Sequence, residues 1–313
     1  MSDTQVLADM EAHARRRDER RSFFRDACGA LALGGGLFLT GRAAAQSAAP
    51  TDADVLNFAL NLEYLEAQFY VQAAFGTGLS DDLTGGTGTR GAATGGRQVA
   101  FTDPLVRQYA VEIAQDERNH VAFLRSALGN AAVAQPAIDI SAAPNGAFSS
   151  AARAAGLIGP GQSFDPYAND ENFLLAAYIF EDVGVTAYKG AAPLITNKTF
   201  LEASAGLLAV EAYHAALIRT VLYGKGVQMP ALRTATVAIS DARDSLDGPT
   251  DLDQGVIGTP DTSNIAPLDA DGLAFGRTTG QVLNIVYLSR MMVSQGGFFP
   301  AGVNGTIRTS AAN

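Results

Sequence analysis

Two short patterns in this chain place a glutamate three residues before a histidine: Glu117-x-x-His120 and Glu211-x-x-His214. Residues i and i+3 share one face of a helix, so each pair can approach a common ion. A carboxylate oxygen and a neutral imidazole nitrogen are both good ligands for iron and manganese. The single cysteine, Cys28, lies near the N-terminus, far from these pairs in sequence. The patterns therefore predict a metal centre built from carboxylates and imidazoles.

Two other segments carry a glutamate followed by a tyrosine seven residues later: Glu63 with Tyr70, and Glu181 with Tyr188. Seven residues are nearly two helical turns, so carboxylate and phenol share a face. We expect Glu63 and Glu181 to complete the ligand set. The two tyrosines are either hydrogen-bond donors to a ligating carboxylate or ordinary core residues.

The chain repeats itself internally. Residues 116–125 align without gaps to 210–219 at an offset of 94, and the Glu and Tyr pairs align at an offset of 118. A duplication predicts a pseudo-twofold bundle with one metal ion per half. We expect three nearby acidic residues to remain outside the site. Glu66 is predicted to be a salt-bridge or rim residue, and Asp116 and Asp182 to be solvated or bonded to a helix end.

Apolar residues with helical spacing mark the elements that must hold these side chains. Four long helices are predicted over about 56–73, 103–128, 169–191 and 198–223, and two further helical segments over 230–246 and 281–292. A stretch rich in Gly and Thr, 76–96, reads as a tolerated surface insertion. About forty residues with four prolines separate the second and third helices, which suits a connection crossing from one end of a bundle to the other. The expected fold is an all-α four-helix bundle with a long middle crossover and a C-terminal extension.

This arrangement resembles the ferritin-like family that includes plant desiccation-related proteins. The resemblance is carried by Leu62-Glu63-Tyr64-Leu65-Glu66-Ala67-Gln68-Phe69-Tyr70, by Asp116-Glu117-Arg118-Asn119-His120, and by the tail through Gly296-Gly297-Phe298-Phe299-Pro300. It implies two ions, iron or manganese. Glu117 and Glu211 would bridge them, Glu63 with His120 and Glu181 with His214 would complete each shell, and open positions would accept water, dioxygen or peroxide.

The N-terminus predicts an export signal. Arg20-Arg21-Ser22-Phe23-Phe24-Arg25 precedes a short apolar run and Ala43-Ala44-Ala45, which resembles a twin-arginine (Tat) signal with a cleavage site of small residues. The expected organisation is a signal over 1–45, a bundle over 51–228 and the extension over 229–313. Cleavage would leave a periplasmic or extracellular protein with no stable transmembrane span.

The charge balance narrows the possible partners. A net charge of -10 and a pI near 4.7 argue against nucleic acid, which requires a basic face. Metal ions and small oxidants are the expected partners, with oligomerisation left open. Redox chemistry with dioxygen or peroxide, or oxidation of Fe(II), in stress protection is the expected function. The alternative is a non-catalytic protective bundle whose metal site is stabilising or vestigial.

Overall fold

The computed structural model describes residues 49–313, so the predicted export signal lies outside the described residues. The described part is mostly helical, which confirms the all-α fold class. It contains seven α-helices: α1 (Asp52–Phe75), α2 (Pro104–Leu128), α3 (Ala147–Ala154), α4 (Asp170–Ala191), α5 (Lys198–Lys225), α6 (Pro230–Asp247) and α7 (Thr279–Val286). Two short strands, β1 (Ala93–Thr94) and β2 (Ile138–Asp139), form a parallel pair.

Side-chain caps explain where the four long helices begin. Thr51 and Asp54 form a reciprocal capping box at α1, and Asp103 caps α2, with Pro104 in the first turn. Asn169 and Asn197 accept hydrogen bonds from first-turn amides of α4 and α5. Each cap satisfies backbone N–H groups that have no partner within the helix. The sequence placed three of these starts within one or two residues and that of α1 within four.

Contacts between helix ends fix the direction of the four long helices. Asn57, near the start of α1, donates to Ala131 O just beyond the end of α2. Lys225, at the end of α5, pairs with Glu171 at the start of α4 and with Asp103 at the start of α2. Both helix pairs are therefore antiparallel, and α4 begins at the end of the bundle opposite to where α2 finishes. The connection between them must cross the length of the bundle, as the sequence predicts.

The Gly-Thr segment lies at the surface, as predicted, and is paired with the crossover. Its strand β1 pairs with β2 in the crossover, and its Thr87 forms a bridge to Val133. The Asn304 side chain donates to the carbonyls of Thr89 and Ala134. The crossover also contains helix α3, where the sequence predicted only loop. Backbone groups of two long connections thus satisfy each other, which proline and glycine content alone does not reveal.

The C-terminal segment packs on the bundle through aromatic and apolar contacts. The ring of Phe298 lies 5.1 Å from that of Phe148 and 4.9 Å from that of Phe180. Helix α7 is shorter than its predicted range because the chain reverses at Leu288, whose φ is 53°. The Ser289 amide donates to Asn284 O, the six-to-one bond of a Schellman helix end.

One described helix has the length and composition of a membrane span. This is α5, with a mean hydropathy of 1.3 over its most apolar window. It also carries Glu211 and His214, both buried in the bundle. The apolar residues of α5 therefore pack within the bundle, where they surround these two buried polar side chains.

Candidate metal centre

The structure brings the six residues proposed as ligands into one buried cluster at the centre of the bundle. Glu63 comes from α1 and Glu181 from α4, while α2 and α5 each supply one Glu-x-x-His pair. None of the six is more than 7% exposed: Glu63, Glu117, His120, Glu181, Glu211 and His214. Four helices from distant parts of the sequence therefore converge on one polar site inside an apolar core.

The donor atoms fall into two overlapping groups that could each hold an ion. The first consists of Glu63, Glu117, His120 and Glu211, and the second of Glu117, Glu181 and His214. Within each group, one ligand atom per residue lies within 4.8 Å of all the others. Glu117 belongs to both groups, which is the placement that a bridging carboxylate requires. Glu211, the other residue expected to bridge two ions, belongs only to the first group.

Several polar atoms of the cluster are buried without a hydrogen-bond partner. They are both carboxylate oxygens of Glu117 and of Glu211, Glu181 Oε2 and His214 Nδ1. His214 Nδ1 lies 3.0 Å from Glu117 Oε1, yet the pair lacks hydrogen-bond geometry. Unpaired buried oxygens are costly, and a cation between them removes that cost. The donor set of oxygens and imidazole nitrogens fits iron or manganese.

Burial and mutual repulsion shift the pKa values of these groups strongly. Burial raises the pKa of Glu63 to about 7 and of Glu181 to about 8, against the attraction of His120 and His214 respectively. Burial opposes the charge of the imidazoles, but Glu63 and Glu117 raise the pKa of His120 to about 11, and Glu181 and Glu117 that of His214 to about 9. Without metal, protons therefore neutralise part of the cluster's charge.

Metal binding should therefore strengthen as the pH rises. Metal must displace protons from Glu63 and Glu181, whose carboxyls are protonated below about pH 7 and 8, and from the two imidazolium groups. For each proton released, affinity should increase about tenfold per pH unit. Calorimetric Mn(II) titrations at pH 6, 7 and 8, in buffers of different ionisation enthalpy, measure the protons released. An affinity that stays constant across this range would contradict the protonation states described above.

The two tyrosines contact the cluster across the pseudo-twofold axis. The Tyr70 hydroxyl donates to Glu181, and the Tyr188 hydroxyl donates to Glu63. Each phenol therefore orients the glutamate of the opposite half and not the one on its own helix. Both tyrosines are buried, and burial raises their pKa well above the usual value, so they remain protonated donors.

Removing either phenol hydroxyl should weaken metal binding without unfolding the protein. Tyr70→Phe frees a Glu181 oxygen and Tyr188→Phe frees a Glu63 oxygen, while the aromatic packing stays. Loss of such an orienting bond reduces metal affinity by about 10-fold to 100-fold. Competition with a chelator of known affinity measures the change. Tyr178→Phe is the matched control, because its buried hydroxyl donates to Gln254 O and not to the cluster. Equal affinity in all three variants would exclude an orienting role.

Of the three acidic residues expected outside the site, Asp182 and Glu66 are buried, whereas Asp116 is partly exposed. Asp182 is buried and accepts from Arg219 and Arg243. Asp116, partly exposed, lies 3.2 Å from His214 Nε2 and can orient that ring. Glu66 is only 6% exposed and forms no ion pair among the described residues, so it is not a rim residue. Helical periodicity gives the angle between a residue and the apolar stripe of its own helix. It does not show which segment packs against the neighbouring face, so it could not predict these surroundings.

Comparison with known sequences agrees with this geometry. The profile of the ferritin-like domain family matches residues 51–224, a segment that contains α1, α2, α4, nearly all of α5 and all six clustered residues. The chain belongs to the ferritin-like family. Its resemblance to that family, inferred from the motifs, is thereby confirmed.

Two relatives are similar to this ferritin-like chain over most of its length. Desiccation-related protein PCC13-62 of Craterostigma plantagineum is 34% identical over 267 residues, which cover 82% of this chain and 83% of that protein. Ferritin-like catalase Nec2 of Nesocodon mauritianus is 32% identical over 268 residues, covering 82% and 84% respectively. Both alignments are longer than the matched domain, so the similarity extends beyond the four long helices.

Proposed function

We propose that this ferritin-like protein holds two iron or manganese ions and decomposes hydrogen peroxide in protection against oxidative stress. The observation that carries the proposal is the buried cluster of four carboxylates and two imidazoles, six of whose polar atoms have no hydrogen-bond partner. The similarity to a protein named ferritin-like catalase supports the choice of substrate. The balanced reaction converts two molecules of hydrogen peroxide into two of water and one of dioxygen.

The chain's own residues have distinct tasks in this proposal. Glu63, His120 and Glu211 would hold one ion, Glu181 and His214 the other, and Glu117 would contact both. When bound, the metal pair supplies two electrons to one peroxide and recovers them from the next. Tyr70 and Tyr188 hold two of the carboxylates in place through their hydroxyls. The buried position keeps bulk water and larger reductants away from the ions.

Oxygen evolution from peroxide tests the proposal directly. The protein is purified without added metal or chelator, analysed for bound metals, and assayed with an oxygen electrode before and after chelation. We expect about two ions per chain and one dioxygen for every two peroxides consumed. Fe(II)-dependent consumption of peroxide or dioxygen without net oxygen evolution would indicate a ferroxidase instead. Metal that raises only the melting temperature would indicate the protective scaffold, and no bound metal after anaerobic reconstitution would refute the metal centre.

We also propose that the protein is exported through the twin-arginine pathway. The supporting residues, Arg20 and Arg21 with the apolar run after them, are a feature of the sequence alone. Replacing both arginines with lysine should retain the precursor in the cytoplasm of a bacterial host. Fractionation and immunoblotting measure the distribution. Normal export of the double variant, or cytoplasmic location of the unchanged protein, would contradict the proposal.

A further inference from the structure

The two halves of the bundle differ at one position that faces the cluster. The offset of 118 that relates Glu63 to Glu181 and Tyr70 to Tyr188 relates Glu66 to Gly184. One half therefore carries a third inward carboxylate, and the other carries no side chain at the equivalent place. A duplicated bundle with equal metal positions would not need this difference.

Gly184 provides space for the Glu211 carboxylate, and Glu66 lies beside that carboxylate. A Cβ atom at this position would lie 2.2 Å from Glu211 Oε2 and 3.4 Å from Glu66 Oε1. The first distance is far below van der Waals contact, so a larger residue would displace Glu211. Glu66 and Glu211 are thus neighbours across the glycine, with Glu211 in the group that also contains Glu63, Glu117 and His120.

Glu66 has no polar neighbour outside the cluster to stabilise its charge. It is 6% exposed, and no hydrogen bond or ion pair involves its carboxylate among residues 49–313. Away from the cluster it lines a cavity of about 20 Å³, with room for no more than about one water molecule. Every other side chain lining that cavity is apolar, including Leu62, Val183 and Ile285. The charges that act most strongly on Glu66 belong to the cluster: Glu117, Glu181, Glu63 and His120.

We propose that Glu66 is a further donor to the metal position formed by Glu63, Glu117, His120 and Glu211, and that the two metal positions are therefore unequal. The inference rests on the proposed metal pair. With Glu66 added to the four residues of that group, the position would have five protein donors. The position of Glu117, Glu181 and His214 has three, and metal sites with few protein ligands keep places for exogenous ligands. Peroxide would bind on that side.

Titration with Co(II) tests this inference without relying on activity, because its visible absorption reports on the ligands. The purified full-length chain, freed of metal by chelation, should bind two Co(II) in steps of different affinity. Glu66→Gln keeps the shape but removes a charged donor. It should weaken the tighter step at least about 10-fold and alter the absorption bands of that ion. Azide should perturb the bands of the weaker site in both proteins.

The controls separate a ligand from a structural residue. Glu112→Gln changes an exposed glutamate on α2 and should leave both steps unchanged. If circular dichroism shows that Glu66→Gln does not fold, Glu66→Asp is used in its place. The aspartate keeps the negative charge but draws the carboxylate oxygens back from the cluster. An unchanged titration and spectrum, or equal weakening of both steps without a spectral change, would overturn the role of Glu66 alone. Failure of the unaltered protein to bind Co(II) would overturn the proposed metal pair and this inference together.

Discussion

Replacing Glu117 with alanine should abolish binding of the two proposed metal ions, so that elemental analysis falls from an expected value of about two ions per chain to near zero. Glu117 is the one residue that contributes a donor atom to both groups of the cluster. Burial opposes its charge, yet His120 and His214 lower its pKa to about 2, so it stays ionised throughout the physiological range. No other side chain of the cluster combines a permanent negative charge with this shared position.

The loss of metal should be accompanied by loss of peroxide decomposition, by a factor of at least about 100. Far-ultraviolet circular dichroism should remain that of the helical bundle, because the substitution changes one buried side chain and leaves the helix caps and the apolar core intact. Glu112→Ala, on the exposed face of the same helix, is the matched control. A Glu117→Ala protein that still carries two ions would exclude the bridging role.

Replacing Asp182 with alanine should lower the free energy of unfolding by about 3–5 kcal/mol, the range for breaking a buried ion pair from one side. Asp182 accepts from Arg219 Nη1 at 2.7 Å and Arg243 Nη2 at 3.0 Å, and all three residues are buried. Arg243 keeps Asp253 as a partner, whereas Asp182 is the only carboxylate paired with Arg219 among the described residues. The substitution therefore leaves one buried guanidinium without a counter-charge.

Denaturant unfolding of the metal-free protein measures this loss separately from the metal centre. A thermal scan should show a decrease of roughly 6–20 °C for a domain of this size. Asp182→Asn should lie between the alanine variant and the unaltered protein, because the amide still accepts a hydrogen bond. Asp241→Ala, an exposed carboxylate on α6, should have little effect. A melting temperature for Asp182→Ala within about 2 °C of the control would show that this network contributes little to stability.

The Asp182 network also explains how the C-terminal segment is attached to the bundle. Arg219 donates to the carbonyls of Gln254, Gly255, Asn264 and Ile265, and Arg243 pairs with Asp253. Asp253 in turn accepts from Arg277. Residues of α4 and α5 that face away from the metal cluster therefore hold the chain that covers them. Disrupting the network should loosen this covering before it disturbs the ligand geometry.

The sequence by itself determined the four long helices and which of their side chains share a face. Helix starts follow from local caps, and the inward stripe follows from a 3.6-residue period, so Glu63, Glu117, His120, Glu181, Glu211 and His214 could be selected without knowing the packing. The two-part repeat predicted four helices in two pairs. Such properties depend on neighbours within about one turn, which the sequence displays directly.

Only the tertiary structure decided what lies against each remaining face. Glu66 was expected to be a salt-bridge or rim residue, and Asp182 to be solvated or bonded to a helix end, but both are buried. Asp182 accepts from Arg219 of α5 and Arg243 of α6, and Glu66 lies beside Glu211 of the carboxylate cluster. The tertiary structure also decided the partners of the two tyrosines, because each phenol donates to a glutamate on another helix and not to the glutamate on its own. These outcomes depend on contacts between residues more than a hundred positions apart, or on coverage by a distant segment, and helical periodicity carries no information about either.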